Sequence, residues 1–255
     1  MRLAVISDIH GNLPAFEAVL ADLDALGGAD LVWHLGDYVA FGPYTGAIID
    51  RVRQQIDELG ADRVRVIGGN TDRYIVTGER FRQKPVAEES EFERLHQTRV
   101  TISEALHWNL SQLSWEDYRW LGGMLGAELR TRVDGYGTVI GVHAVPGDDE
   151  IFINPDTPEE EAADYLLDRQ GRLMLGGHTH QQMDRTLGGW RMINPGSVGA
   201  SVVAGKAQWA LLTFDGGVLD VNMRSLDYDT AALKAHIMDS DYPLKAWALK
   251  RLGLA

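Results

Sequence analysis

The first seventy residues alternate between short apolar runs and longer segments whose apolar residues recur with the period of a helix. The short runs, each typical of a buried strand, are residues 3–6, 31–35 and 64–67. Helical spacing fills both intervals, and Asn12 is the predicted N-cap of the first helix. Because strand, helix and strand in succession usually form a parallel pair, this order predicts an α/β protein with a mostly parallel sheet.

The rest of the chain departs from this alternation. Residues 74 to about 130 are polar, and we predict a helical insertion over the sheet edge, with a capping box at Ser114 and Asp117. Further strand-like runs follow at residues 138–142, 173–175, 190–193, 208–214 and 218–224. Asp215-Gly216-Gly217 predicts a hairpin between the last two runs. With a helical tail over about 225–255, the whole chain, residues 1–255, is predicted to be one domain.

Side chains that commonly bind metals follow the predicted strands. They are Asp8 and His10, then Asp37, then Asn70 with Thr71 and Asp72, then His143, and finally His178 with His180. Loops after parallel strands share one edge of the sheet, which is where open α/β folds bind ligands. Because the chain has no cysteine, a metal ion there would be held by imidazole, carboxylate and amide oxygen, a set that suits manganese, iron or zinc.

Each of these motifs is weak evidence alone. Asp-x-His and Gly-Asp occur in many proteins, and a single histidine such as His143 after a strand is more often a hydrogen-bonded structural residue. The sequence Gly-His-x-His at 177–180 is more specific, although it could form an ordinary loop. All five motifs occur in order, each at the end of a strand-like run, and this coincidence predicts a shared metal site.

Charge and hydropathy narrow the substrate and the location. The formal net charge is -13 at pH 7 and no basic face is evident, which argues against long nucleic acid as a substrate. Divalent cations at the site would offset part of the acidity, so a small anionic molecule remains a possible substrate. No apolar stretch approaches the roughly 20 residues of a membrane span, and we expect a cytoplasmic protein without membrane association.

The ordered motifs resemble the calcineurin-like metallophosphoesterase superfamily, and further details resemble its bacterial and archaeal branch of small phosphodiesterases. The family pattern runs Asp-x-His, Gly-Asp, Gly-Asn-His-Asp/Glu, His and Gly-His-x-His, and this chain follows it across about residues 1–224. The loops at 36–43 and 194–199 add to the likeness to the small-phosphodiesterase branch. The resemblance implies a four-layer α/β sandwich, with two mixed β-sheets flanked by helices, and two divalent metal ions.

The resemblance also implies a role for each site residue. One ion would be held by Asp8, His10 and His180, the other by Asn70, His143 and His178, with Asp37 bridging the two. The expected catalytic set is Asp37, Asn70, Thr71 and Asp72.

One position departs from the family pattern. Thr71 stands where most relatives have a histidine that is thought to contact the phosphate and to help protonate the leaving group. We therefore expect a preference for good leaving groups. The alternative is that His96 or His107 of the helical insertion, or a metal-bound water, supplies the proton.

The predicted function is that of a binuclear metal-dependent phosphoesterase, either a phosphodiesterase or a nucleotide pyrophosphohydrolase, using a hydroxide that bridges the metals. A protein or peptide phosphatase is a second hypothesis, which an open, shallow site would favour. A metal-binding scaffold without turnover is a third, although such a scaffold has no need of every ligand.

Overall fold

The computed structural model describes residues 1–83 and 85–255. In chain order the elements are β1 (Arg2–Ile6), α1 (Leu13–Ala25), β2 (Leu31–His34), α2 (Thr45–Leu59), β3 (Val64–Val66), α3 (Asn70–Thr77), α4 (Glu89–Ser111), α5 (Trp115–Gly122), β4 (Leu129–Val133), β5 (Gly137–Gly141), α6 (Glu159–Asp164), β6 (Leu173–Leu175), β7 (Met183–Leu187), β8 (Trp190–Asn194), β9 (Lys206–Asp215), β10 (Val218–Asp227), α7 (Thr230–Asp239) and α8 (Lys245–Arg251).

The first sheet has five strands in the order β10-β9-β1-β2-β3. β1, β2 and β3 are parallel, as the alternation in the first seventy residues predicts. β9 runs antiparallel to β1, with Thr213 opposite Arg2, and so brings a late segment of the chain beside the first strand. The predicted hairpin is confirmed: Gly216 and Gly217 join β9 to β10 with φ of 54° and 83°, the left-handed pair that a type I′ turn requires.

The second sheet has five strands in the order β4-β5-β6-β8-β7. β5, β6 and β8 are parallel, and antiparallel β4 and β7 form the edges. The sequence did not predict these edge strands, because their polar residues alternate with few apolar ones. β4 also begins at Leu129, inside the segment predicted to be helical over about 74–130, and the last helix before it ends at Gly122. The predicted capping box at Ser114 and Asp117 is present at the start of α5.

The two sheets pack face to face and are covered by helices. Apolar residues of both sheets, including Trp33 and Val139, form the core between them. α1 and α2 cover the outer face of the first sheet through residues such as Phe16 and Ile48, and α6 covers the second through Ala162. The fold is therefore the predicted sandwich of two mixed sheets flanked by helices.

Candidate metal centre

The predicted ligand residues all follow parallel strands, in loops except for Asn70, which is the first residue of α3. Asp8 and His10 follow β1, Asp37 follows β2, Asn70 follows β3, His143 follows β5, and His178 and His180 follow β6. All of these side chains are buried, and the most exposed residue among them, His178, has 8% of its surface accessible. Both sheets thus direct polar side chains into one buried region.

The backbone of these loops is strained. Among the described residues, those other than glycine with a left-handed backbone are Asp8, His10, Asp37, Ala40, Phe41, His178 and His180, with φ between 49° and 70°. Such a conformation costs on the order of 1–3 kcal/mol per residue and persists only where the surrounding structure enforces it. Two backbone hydrogen bonds enforce it here, from the Asp8 N–H to Gly36 O at 3.0 Å and from the His10 N–H to Asp37 O at 2.9 Å. The strain is concentrated at predicted ligands, as is typical of functional sites.

His10 and His180 face each other through ring nitrogens that carry no proton. His10 Nδ1 lies 3.2 Å from Val39 O, and His180 Nδ1 lies 2.7 Å from Ala200 O, so each Nδ1–H donates to a backbone carbonyl. That leaves an unprotonated Nε2 on both rings, and these two atoms are only 3.0 Å apart. Two lone pairs at this distance repel unless a cation lies beside them.

A second group of side chains, made of Asn70, His143 and His178, also brings polar atoms close together. His143 Nδ1 donates to Leu35 O at 2.7 Å, which turns its Nε2 toward Asn70 Oδ1 at 2.9 Å. His178 Nδ1 lies 2.9 Å from the same Asn70 oxygen, while its buried Nε2 has no partner among the described residues. Two imidazole nitrogens thus converge on one amide oxygen, and a third, buried nitrogen has no partner in the described part of the chain.

The two carboxylates lie among these histidines. Asp8 Oδ1 is 3.3 Å from His180 Nε2, and it is buried without a hydrogen-bond partner in the described part of the chain. Burial alone would raise the pKa of Asp8, but the nearby His180 and His143 lower that pKa to about 2, so the carboxyl is ionised. Asp37 Oδ2 is 3.6 Å from His10 Nε2 and 3.5 Å from His143 Nε2, and so faces both groups.

This donor set fits divalent metal ions. The ligand atoms of Asp8, His10 and His180 lie within 4.8 Å of one another, as do those of Asp8, Asp37 and His143. Against the effect of burial, the Asp37 carboxylate raises the pKa of His143 to about 10, which means that this position attracts positive charge. Carboxylate, amide oxygen and imidazole are the donors that manganese, iron and zinc accept. A metal ion beside the unpartnered acceptors would account for their arrangement.

Asp72 and Thr71 hold the Asp37 loop in place. Asp72 Oδ2 accepts the N–H groups of Asp37 at 2.8 Å and Gly69 at 2.9 Å, and Asp72 Oδ1 accepts the Tyr38 N–H at 3.1 Å. Burial and the Asp37 charge raise the pKa of Asp72 to about 7, while the backbone N–H donors act in the opposite direction. The Thr71 N–H donates to Asp37 Oδ1 at 2.8 Å, and the Thr71 hydroxyl donates to Val39 O at 3.2 Å. Both side chains are therefore committed to the loop.

Aromatic rings border the site on two sides, and the sequence analysis did not identify either ring as a neighbour of the predicted ligands. The Phe41 ring centroid lies 4.3 Å from that of His10, and the Phe152 ring centroid lies 4.4 Å from that of His178. Phe152 is 48% exposed and also contacts Phe81 at 6.0 Å between ring centroids. An apolar residue at a loop tip is indistinguishable in sequence from a packing residue, so only the fold identifies these neighbours.

Three further histidines among the described residues do not contact the candidate metal centre. His34 is buried in β2, where its Nε2 lies 2.8 Å from Gln55 Oε1. His96 and His107 are exposed on α4, and neither has a hydrogen bond or ring contact to the predicted ligands within the described residues. These positions do not support a lid histidine as the proton donor.

A sandwich of two mixed sheets that directs acidic, amide and imidazole side chains into one buried cluster is the architecture of a metal-dependent hydrolase. The sequence matches the family model of the calcineurin-like phosphoesterase superfamily domain over residues 1–217, and the chain belongs to that superfamily. It is a metal-dependent phosphoric ester hydrolase, as the motifs predict.

Solved structures share the fold along the whole chain. A hypothetical protein from Pyrococcus horikoshii OT3 superposes with a TM-score of 0.80 at 22% identity, covering 99% of this chain and 98% of that chain. A metallophosphoesterase from Sphaerobacter thermophilus superposes with a TM-score of 0.68 at 24% identity, covering 100% of this chain and 98% of that chain. No curated protein matches the sequence. None of the helices within residues 1–83 and 85–255 has the length and apolar character needed to cross a membrane.

Proposed function

We propose that this chain is a binuclear phosphodiesterase or nucleotide pyrophosphohydrolase that acts on small anionic phosphate esters. Asp8, His10 and His180 would hold one divalent ion, and Asn70, His143 and His178 the other. Bound manganese, iron or zinc would supply Lewis-acid stabilisation of the phosphoryl oxygens and would activate water at neutral pH. The protein's contribution is to fix these donors in a buried, strained arrangement before substrate arrives.

The placement of Asp37 is the observation that carries this proposal. Its Oδ2 lies within 3.6 Å of Nε2 of His10 and within 3.5 Å of Nε2 of His143, one histidine from each ligand set. A single carboxylate at this position can contact two cations at once. The hydrogen bonds that it receives from Thr71 and the bonds between Asp72 and its loop keep it there.

The cavity beside His143 favours a small substrate over a phosphopeptide. It has a volume of about 370 Å³ and is also lined by Arg73, Arg82 and Asp148. Ligand pockets for small molecules run from about 300 to 1,000 Å³. The phosphatase alternative would favour a shallower surface than this concave region.

The threonine at position 71 is the basis for predicting which small substrates react fastest. Its hydroxyl donates to Val39 O, and no histidine replaces the missing family residue among the described neighbours of the site. General acid assistance is typically worth about 10²–10⁴-fold in rate, and it matters most for basic leaving groups. Aryl phosphodiesters, and anhydrides that release a phosphate, should therefore react faster than alkyl phosphomonoesters.

A leaving-group series tests the proposal. The metal-loaded protein and Thr71→His would be assayed on aryl and alkyl phosphodiesters of graded leaving-group pKa, with metal content measured on the same samples. We expect a steep dependence in the native protein that becomes shallower in Thr71→His, with the largest gain for the poorest leaving group. Equal native rates across the series, with chemistry shown to be rate-limiting, would contradict the role given to Thr71. A saturated protein that binds only one ion would contradict the binuclear site.

A further inference from the structure

Arg251 brings a positive charge from the C-terminal tail toward the metal centre. It is the last residue of α8, beyond residues 1–217 that match the family model. The Arg251 Cζ lies 4.6 Å from the centroid of the Phe41 ring, and that ring lies against His10. Phe41 also contacts Trp247 of the same helix, with 5.6 Å between ring centroids. Two ring contacts thus connect the guanidinium to a predicted metal ligand.

The Arg251 guanidinium has no acidic partner. Across residues 1–83 and 85–255, no hydrogen bond or ion pair links it to another side chain, and its side chain keeps access to solvent. Other arginines near the metal centre, such as Arg73 and Arg82, are instead held by carboxylates. Desolvation by the surrounding protein lowers the pKa of Arg251, and the charges of Asp37 and Asp8 in the metal site oppose this effect.

We propose that Arg251 binds the phosphate group of the substrate, supplying from the tail a contact that the family places on the histidine replaced here by Thr71. This inference rests on the proposed function of the site. An arginine offers a planar fork of donors that matches two phosphate oxygens, and it is always charged. Stacking on Phe41 fixes the direction of the fork and leaves its donors free. The substrate class is a phosphoester whose non-bridging oxygens extend toward α8.

A structural role is the alternative. A cation above an aromatic ring stabilises a fold by about 0.5–1 kcal/mol when exposed, so Arg251 could serve only to anchor α8 on Phe41. That role would affect unfolding and metal retention rather than affinity for phosphate. It would also leave the donors of the guanidinium without a function.

Binding of inorganic phosphate separates the two roles. Calorimetry with the manganese-loaded protein would compare the native chain with Arg251→Ala, Arg251→Gln and Arg251→Lys. Lys250→Ala is the matched control, because it removes an equal charge from the neighbouring, exposed position of the same helix. Metal content and the midpoint of urea unfolding would be recorded for every variant. KM and kcat for bis(p-nitrophenyl) phosphate would follow on the same preparations.

Charged hydrogen bonds of this kind correspond to about 10–100-fold in affinity. We expect the phosphate Kd of Arg251→Ala and Arg251→Gln to rise by that factor, with a similar rise in KM, while Lys250→Ala stays near native and Arg251→Lys recovers part of the loss. If Arg251→Ala fails to fold, Arg251→Gln and Arg251→Lys decide the question in the same way.

An unchanged phosphate Kd in Arg251→Gln would overturn the inference. So would a weaker Kd that is accompanied by loss of metal and a lower unfolding midpoint in both Arg251→Gln and Arg251→Lys. Because phosphate binding needs no turnover, a native protein that binds phosphate through Arg251 but hydrolyses nothing would refute the proposed function alone.

Discussion

The two sides of the metal centre are held in place by different forces. The His10 side, made of Asp8, His10 and His180, is covered by α7 and α8 through an apolar cluster that includes Ala200, next to His180. The His143 side, made of Asn70, His143 and His178, is bordered by charged residues around Glu150. One side is therefore secured by burial of apolar surface and the other by ion pairs.

The charged border of the His143 side is centred on one buried carboxylate. Glu150 accepts hydrogen bonds from Tyr74 Oη at 2.7 Å, Arg73 Nη2 at 2.7 Å and Arg82 Nε at 2.9 Å. These contacts join α3 and the segment after it to the loop that carries Glu150. Burial would raise the pKa of Glu150, but its hydrogen bonds with Arg82, Tyr74 and Arg73 lower that pKa to about 2.

Because the two sides are stabilised differently, acid and mutation should affect them differently. Apolar packing responds weakly to acid, whereas a buried carboxylate network fails when its carboxylate is protonated. In the proposed assignment the sides also differ in charge: Asp8 would bind the ion of the His10 side in addition to the shared Asp37, whereas the ion of the His143 side would have only Asp37 as a carboxylate ligand. Each prediction below tests one part of this contrast.

Removal of the shared carboxylate should have the largest effect, because it affects both sides at once. We expect Asp37→Asn to lower kcat/KM by about 10³-fold or more, since charge stabilisation by both ions depends on it. Steady-state kinetics on an aryl phosphodiester, with metal analysis and circular dichroism, would check this. Activity near the native level with metal present would show that Asp37 does not join the two sides.

The next largest effect should distinguish the two sides by metal affinity. Two unit charges 4 Å apart interact by about 4 kcal/mol at an effective dielectric constant near 20, so the extra Asp8 charge should tighten binding by well over tenfold. We expect chelator titration to release the ion of the His143 side first. His178→Gln should retain one tightly bound ion, and His180→Gln should not. Equal retention in the two variants would remove the proposed asymmetry.

A smaller loss is expected at Asp72, which supports the shared loop without facing either side. Residues that orient ligands typically change metal affinity or activity by about 10–100-fold. We expect Asp72→Asn to lose activity within this range and to regain part of it with excess metal, because the ligands themselves remain. The dependence of rate on metal concentration measures this. Total loss that excess metal does not relieve would indicate that Asp72 acts directly in the reaction.

The smallest effect on activity should come from the border residues, where the contrast appears in stability. Because the folded-state pKa of Glu150 lies near 2, below its ordinary value of 4.5, its stabilisation is complete above about pH 4.5 and is lost as the pH falls toward 2. We expect Glu150→Gln to cost about 1–3 kcal/mol of unfolding free energy at pH 6.

The same cost should shrink as the pH falls from 4.5 toward 3. Leu233→Ala on the His10 side is the control, since it removes buried apolar contacts of α7 and no titrating group, and its cost should stay constant. Urea unfolding of the metal-free proteins at several pH values measures both. A pH-independent cost for Glu150→Gln would show that ion pairing does not secure the His143 side.

The sequence predicted the architecture and the members of the candidate site because both depend on local patterns. Strand periodicity and strand-end motifs are short-range signals, and the two-sheet sandwich followed from the family resemblance. The edge strands β4 and β7 lacked an apolar pattern and were not predicted. The assignment of seven ligands to two ions stays a prediction.

What the sequence could not give depends on contacts between distant residues or on strain. Left-handed φ at Asp8 and His178 has no signature in residue type, since glycine is the residue that usually marks it. The contact between Phe41 and Arg251 joins positions about 210 residues apart. The catalytic role of Asp72 stays a prediction, and its hydrogen bonds to the backbone of Asp37 and Gly69 have no signal in the sequence.

The pairing of β1 with β9 determines how late in synthesis the first sheet can be completed. Arg2 pairs with Thr213, so the central strand of the first sheet keeps one open flank until more than two hundred residues have left the ribosome. During that time the nascent chain exposes an apolar edge that could join a neighbouring chain in the polysome. Slow synthesis, or many ribosomes on one mRNA, should therefore favour aggregation. A chaperone that shields the first strand should raise the yield of active protein.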